Sequence, residues 1–223
     1  MPNKPVNLQA SRWKWNRVLA ATACLLACSP ATGSAGPAFV DEFERLDPWT
    51  VRASDGVVAS IQSAAGIDGQ CLRLDFDFRA GAGFVVVRRA VDLDPAENYR
   101  FTFAVRGDAL PNNFEFKLID ASGENVWWVN RRDFDFPNDW LPIRYKQRHF
   151  EFAWGPSGGA PLERIAAIEF AVAASQGGAG KLFIDDVTFE TLPDARSIAE
   201  SPLVRCSSSA DCASKAPRRL PLD

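Results

Sequence analysis

Apolar residues recur at every second position over most of the chain, which is the period of a β-strand that buries one face. Arg73, for example, lies between Leu72 and Leu74. Residues 84–87 differ because they are apolar without interruption, as expected of a strand covered on both faces. The pattern predicts strands at 72–78, 84–87, 99–105, 114–119, 143–146, 168–172 and 182–189.

Turn-forming residues separate these segments, and helical signals are scarce. Asp55-Gly56, Asp68-Gly69 and Ser122-Gly123 are typical turn sequences. No stretch of ten or more residues combines a helical period with capping residues, although 161–167 has room for one helical turn. Short strands joined by turns, about eight to ten in number and without crossover helices, predict an all-β fold. We expect a jelly-roll-like sandwich of two antiparallel sheets over residues 38–191.

The first 35 residues have the composition of a secretory signal peptide. Four basic residues and no acidic residue precede the apolar stretch 18–27, which is shorter than the roughly 20 residues that span a bilayer. Two cleavage sites fit the sequence. Small residues at 33–35 suit an ordinary signal peptidase, whereas the stretch 25–28 (LLAC) is similar to a bacterial lipobox, in which Cys28 carries lipid. We therefore expect an extracytoplasmic protein that is secreted, periplasmic or an outer-membrane lipoprotein.

Composition narrows the class of partner. The chain carries a net charge of −3, and its first 35 residues hold four bases and no acids, so the remainder carries −7. This charge disfavours nucleic acids and anionic membranes, which leaves the signal peptide or a lipid anchor as the expected membrane contact. A single His beside 16 Phe and 7 Trp is more typical of a β-domain with aromatic surfaces than of a metalloenzyme.

The composition changes after the last predicted strand. Residues 192–223 contain no aromatic residue and are rich in Ser, Ala, Pro and Arg, so we expect a disordered linker or tail. Cys206 and Cys212 lie close together in this segment, and in an oxidising compartment they have the spacing to close a small disulfide loop. Cys71 stands alone in a predicted strand, which favours a buried thiol.

Four short motifs, in their order along the chain, carry a resemblance to a known family. They are Asp41-Glu42-Phe43-Glu44 followed by Trp49, then 69–76 (GQCLRLDF), 93–108 (LDP through VRGD) and 180–187 (GKLFIDDV). Together they resemble the galactose-binding-like β-sandwich superfamily, to which many carbohydrate-binding modules belong. More narrowly, they are similar to the N-terminal accessory domain of bacterial secreted proteins that continue into discoidin-type and glycosidase domains. The resemblance covers about 150 residues and implies carbohydrate binding.

The resemblance also implies a structural calcium ion. In the resembled modules a carboxylate of the opening motif and one of the closing strand help to hold this ion. Their counterparts here are Glu44 and the pair Asp185 and Asp186, and oxygen ligands from distant segments suit Ca²⁺. Strand alternation predicts that Asp185 shares a face with Phe183 and Val187, where an unpaired carboxylate is costly. A salt bridge to an arginine is the alternative to the metal.

The segment 127–140 is the richest in aromatic and charged residues. Sugars have C–H faces that stack on aromatic rings and hydroxyl groups that bind planar donors and carboxylates. Adjacent Trp127 and Trp128 point to opposite faces of a strand, so at most one of them faces a ligand while the other fills the core. An ordinary cross-strand stack of Trp and Arg is the alternative. The candidate carbohydrate-binding residues are Trp127, Trp128, Arg131, Arg132, Asp133, Trp140 and Trp154.

No catalytic arrangement stands out in the sequence. Carboxylates such as Asp133 and Glu169 have no distinctive spacing, and His149 has no evident Ser or Cys partner. The sequence therefore predicts a non-catalytic carbohydrate-binding module of an exported bacterial protein. The alternatives are a protein-interaction or structural domain of a surface lipoprotein, and a fragment of a glycoside hydrolase.

Overall fold

A computed structural model describes residues 37–79 and 81–193, which form twelve β-strands and one 3-10 helix at Gln147–His149. The proposed signal peptide with Cys28, and the tail with Cys206 and Cys212, lie outside the described residues. The strands are β1 Phe39–Asp41, β2 Trp49–Ala53, β3 Val58–Ala65, β4 Gln70–Asp77, β5 Phe84–Leu93, β6 Tyr99–Asp108, β7 Asn112–Asp120, β8 Val126–Phe134, β9 Leu141–Lys146, β10 Glu151–Trp154, β11 Ile165–Ala173 and β12 Ala179–Thr191.

The strands form two antiparallel sheets of six strands each. Sheet I has the order β3-β4-β12-β6-β9, and β1 pairs with the far end of β12. Sheet II has the order β10-β8-β7-β11-β5-β2. The predicted two-sheet β-sandwich is therefore confirmed. The helical turn considered at 161–167 is absent, because residues 165–167 begin strand β11. None of the described residues forms a helix that is long and apolar enough to cross a membrane.

Aromatic side chains from both sheets fill the space between them. Phe101 and Phe103 of sheet I interlock with Phe116 and Phe170 of sheet II, and the ring centroids of Phe103 and Phe170 are 4.9 Å apart. All four side chains are almost completely buried. Edge-to-face and tilted contacts of this kind add to the stabilisation that burial of the rings provides. Cys71 is a buried free thiol, as predicted, and burial raises its pKa to about 11.

β-Bulges in β12 and β10 reverse the alternation of these strands. In β12 the register with β6 shifts between Asp185 and Thr188, and Asp186 adopts a left-handed φ of 53°. Val187 is consequently buried in the core, while Phe183 lies on the outer face of sheet I. The prediction that Asp185 shares a face with Val187 is wrong, because a residue inserted after Asp185 changes which face each later side chain occupies, whereas Phe183 and Asp185 precede the bulge and lie on the same face. A second bulge lies between Phe152 and Trp154 in β10.

Candidate functional site

The outer face of sheet II carries an open groove of about 540 Å³. It crosses the strands, because its lining residues come from β10, β8, β7, β11, β5 and β2. A groove built on adjacent strands has a rigid floor, since each strand is held by hydrogen bonds to its neighbours. The lining residues are Arg52, Ala53, Phe84, Val86, Glu115, Lys117, Trp128, Trp154, Glu169 and Ala173.

Two tryptophans form one wall of this groove. Trp128 of β8 and Trp154 of β10 meet edge to face, with ring centroids 5.4 Å apart and an interplanar angle of 86°. Regular alternation would turn Trp154 inward with Phe152, but the bulge in β10 turns it onto the outer face, where it is 47% exposed. The wall therefore presents aromatic surface to solvent from two strands.

The floor of the groove is polar but internally neutralised. Lys117 of β7 forms an ion pair with Glu115 at 2.8 Å, and Arg88 of β5 pairs with Glu169 of β11 at 2.9 Å. The Nζ atom of Lys117 also lies 5.4 Å from the centroid of the Trp154 ring. These groups retain donor and acceptor sites beyond their ion pairs, so the floor can bind hydroxyl groups.

A second apolar element faces the tryptophans across the sheet. Phe84 of β5 is 48% exposed, and the small side chain of Ala173 lies between it and the centre of the floor. Strands β8 and β5 are three positions apart in sheet II, which corresponds to about 14 Å at the usual strand spacing. The groove is therefore long enough for several sugar units that run across the strands.

The structure does not bring the seven candidate sugar-binding residues together. Trp128 and Trp154 share the groove, whereas Arg132 is exposed at the irregularity that follows Arg131 in β8. Trp127 points the opposite way into the core, where its ring meets Phe152 at 5.5 Å. The other three members also lie apart from the groove: Arg131 stacks on Phe134, Asp133 accepts a hydrogen bond from Ser175, and Trp140 lies beside Arg106 on sheet I.

The sequence offered little signal for the groove floor. Glu115, Lys117 and Glu169 alternate with core residues, as solvent-facing strand residues commonly do. In the structure, however, Glu115 and Lys117 are 7% and 8% exposed although they lie on an outer face. Buried charges at an outer face indicate a covered or concave surface, which single-sequence periodicity does not reveal.

A smaller depression of about 340 Å³ at the β3-β4-β12 end of sheet I has a different character. Its lining includes Asp75, Asp77, Asp108 and Lys181, and its one aromatic residue, Phe76, is 4% exposed. It offers no ring face for a sugar. The groove on sheet II is therefore the better candidate site.

The carboxylates considered as calcium ligands lie at the turn between β3 and β4. Glu44 accepts a hydrogen bond from the backbone N–H of Gln70 at 3.0 Å, and Asp185 accepts one from Ile67 at 2.7 Å. The side chain of Asp186 is exposed. Burial, together with the nearby charges of Asp186 and Glu44, raises the pKa of Asp185 above its usual value.

This arrangement fits part of a calcium site. Asp185 is completely buried and forms no ion pair with any described residue, so the alternative of an arginine salt bridge is not realised in 37–79 and 81–193. Within the same ranges no three His, Cys, Asp or Glu side chains converge. Calcium takes six to eight oxygen ligands. Backbone carbonyls and water would therefore have to complete a set begun by Glu44 and Asp185.

Comparison with solved protein structures identifies the fold. No protein family model matches the chain, and no curated protein matches its sequence. Among solved structures, the family 11 carbohydrate-binding module of the cellulosomal cellulase Lic26A-Cel5E from Clostridium thermocellum superposes with a TM-score of 0.58. It is 18% identical, and the match covers 73% of this chain and 98% of the module. The chain has the β-sandwich fold of carbohydrate-binding modules.

Two further solved structures agree with this assignment of the fold. The Clostridium thermocellum family 11 module in complex with a β-1,3-1,4-mixed-linked tetrasaccharide has a TM-score of 0.57 and 17% identity, over 69% of this chain and 95% of the module. An exo-β-agarase has a TM-score of 0.51 and 16% identity, over 72% of this chain but only 26% of the agarase. The predicted galactose-binding-like fold is thus confirmed. The narrower resemblance to discoidin-linked accessory domains stays a prediction.

Proposed function

We propose that this domain is a non-catalytic carbohydrate-binding module of an exported protein, and that it binds a polysaccharide in the sheet II groove. The observation that supports this most directly is the wall formed by Trp128 and Trp154 above an ion-paired polar floor. Apolar ring surface beside a few fixed polar groups is the usual composition of a site for small or chain-like ligands.

The direction of the groove favours a chain that lies across the strands. One end offers Trp128 and Trp154, and the other end offers Phe84. Sugar rings would stack on the aromatic side chains at the ends while hydroxyl groups bind Lys117 and Glu169 between them. The mixed-linked glucan bound by a structurally similar module makes β-1,3-1,4-glucan a reasonable first ligand to test.

The state of the carboxylates supports a binding role over glycoside hydrolysis. Glycoside hydrolases use two carboxyl groups that flank the glycosidic bond, and one of these groups is held protonated. In the groove, Glu115 is held in an ion pair with Lys117 and Glu169 in one with Arg88, so neither carboxylate is positioned as a free acid–base group. We therefore group this chain with binding modules. Any hydrolysis of the bound polysaccharide would be carried out by other proteins.

Truncation of the aromatic wall is expected to weaken binding. Trp128→Ala and Trp154→Ala each remove a stacking ring, and residues of this kind contribute about 2 kcal/mol or more, some thirtyfold in Kd. Isothermal titration with soluble β-1,3-1,4-glucan, within a panel of neutral polysaccharides, measures the change. Thermal unfolding of each variant checks that the fold is retained.

Val58→Ala serves as the control, because Val58 is an exposed apolar residue on sheet I. It should leave Kd unchanged. Unchanged affinity in both tryptophan variants would exclude the groove as the binding site. If no polysaccharide binds the wild-type domain, the interaction-domain alternative is favoured instead.

We also propose that calcium binds between Glu44 and Asp185. A metal that binds only the folded state stabilises it by about 2.7 kcal/mol at a hundredfold excess over Kd. Chelator should therefore lower the melting temperature of the wild type, and Asp185→Asn should abolish the difference. Because burial raises the pKa of Asp185 in the folded protein, the metal-free domain should lose stability as pH rises from the ordinary carboxyl range through this raised pKa. A melting temperature that does not respond to chelator at neutral pH would contradict the calcium proposal.

A further inference from the structure

A row of alternating cationic and aromatic side chains crosses the outer face of sheet I, on the side of the sandwich away from the groove. Arg73 of β4 and Arg106 of β6 are both register partners of Phe183 on β12. Trp140 precedes Leu141, the partner of Val105, and so lies next to Arg106. Arg73, Phe183, Arg106 and Trp140 are called the Arg/aromatic row below.

The central guanidinium of this row is held rigidly. The Cζ atom of Arg106 lies 3.9 Å from the ring centroid of Phe183 and 5.1 Å from that of Trp140. Contacts with two rings restrict the plane of the guanidinium group, and its N–H donors lie in that plane. A long side chain that normally has many rotamers is thereby preorganised for binding.

Arg106 has no anionic partner in the part of the chain that the structure describes. No carboxylate of residues 37–79 or 81–193 lies within 4.0 Å of it, and its Nε atom is buried without a hydrogen-bond acceptor. Arg73 differs, because its Nε and Nη2 atoms donate to Asp75 at 3.1 and 2.5 Å. The guanidinium group of Arg73 therefore has a hydrogen-bond acceptor. The guanidinium group of Arg106 is held in a fixed orientation and lacks one.

We propose that the Arg/aromatic row is a second carbohydrate site, which binds the carboxylate of an acidic sugar to Arg106. A planar guanidinium matches a carboxylate with two parallel hydrogen bonds. Trp140 offers apolar ring surface next to the fork for the C–H face of the sugar. The chain after residue 35 carries −7, which repels a densely charged polyanion. The row thus suits isolated uronate units in an otherwise neutral glycan.

The test compares glycans that differ only in the carboxylate. The probes are partly methyl-esterified polygalacturonate, which has isolated carboxylates, and the fully esterified form, which has none. The wild-type domain should bind the partly esterified form about tenfold or more tightly, and Arg106→Lys, which keeps the charge but loses the planar fork, should abolish the preference. The result does not depend on the groove, because the readout is the ratio of two affinities.

Arg144→Lys on β9 is the matched control, since Arg144 is exposed on the same sheet. It should retain the wild-type ratio, and the melting temperature of Arg106→Lys should show that the variant is folded. Equal affinity of the wild type for the two esterification states would overturn the proposal, and so would an unchanged ratio in Arg106→Lys. Equally tight binding of poly-L-glutamate would overturn it as well, because the row would then recognise a carboxylate without the sugar.

Discussion

Asp41→Ala is expected to lower the free energy of unfolding by about 3–5 kcal/mol, because it leaves a partly buried cation without its counter-charge. Asp41 is 7% exposed and forms an ion pair with Arg89 of β5. It also accepts hydrogen bonds from the Trp49 indole at 2.8 Å and from the backbone of Phe43 at 2.9 Å. One carboxylate of sheet I thus satisfies donors of sheet II and of the connecting loop.

The loss is a large share of the total stability, which for a domain is about 5–15 kcal/mol. For a domain of this size it corresponds to a melting temperature lower by about 6–20 °C. Thermal and urea unfolding measure the change. Asp92→Asn is the control, because the ion pair of Asp92 with Arg164 is exposed and should contribute nothing measurable. A melting temperature within about 2 °C of the wild type in Asp41→Ala would show that Arg89 and Trp49 find other partners.

Trp127→Ala is expected to cost about 3–5 kcal/mol of stability, as truncation of a buried tryptophan does. Trp127 is 9% exposed and belongs to the aromatic core, where it contacts Phe152. Its removal leaves a cavity that the two hydrogen-bonded sheets cannot close. Denaturant unfolding measures the loss, and Trp127→Phe should recover part of it because a ring still fills the space.

Trp128→Ala at the adjacent position is the matched comparison. Its ring lies on the outer face, so the loss of stability should be about 1 kcal/mol or less while glycan affinity falls. The two variants should therefore show opposite effects on stability and on binding. Equal destabilisation in both would mean that Trp128 is also core, and that the aromatic wall of the groove rests on Trp154 alone.

The fold was accessible from the sequence because burial on one face imposes a period of two. The alternation at 72–78 and 99–105 corresponds to β4 and β6. The apolar run 84–87 lies in β5, but the strand is not covered on both faces, because Phe84 is 48% exposed in the groove. Strands β8 and β10 gave a weaker signal. Their outer faces carry tryptophans, so apolar residues occupy both faces and the period of two is hidden.

The candidate site was predictable only in part. The sequence shows that Trp127 and Trp128 must face opposite ways, and the structure assigns Trp128 to the groove and Trp127 to the core. Which of the two points inward depends on the pairing of β8 with β7 and β10, and those contacts come from residues distant in sequence. The ion-paired floor has the same origin, because Arg88 and Glu169 are 81 positions apart along the chain.

The sequence by itself determined the all-β class, the two-sheet sandwich and the aromatic character of its surfaces, because these follow from local alternation and composition. Tertiary structure decided which side chains share a face. A bulge turns Trp154 into the groove, another separates Phe183 from Val187, and strand order places Arg106 between Phe183 and Trp140. The physical reason is that one inserted residue reverses every later side chain of a strand, whereas the hydrophobic pattern of a single chain does not show which strands become neighbours.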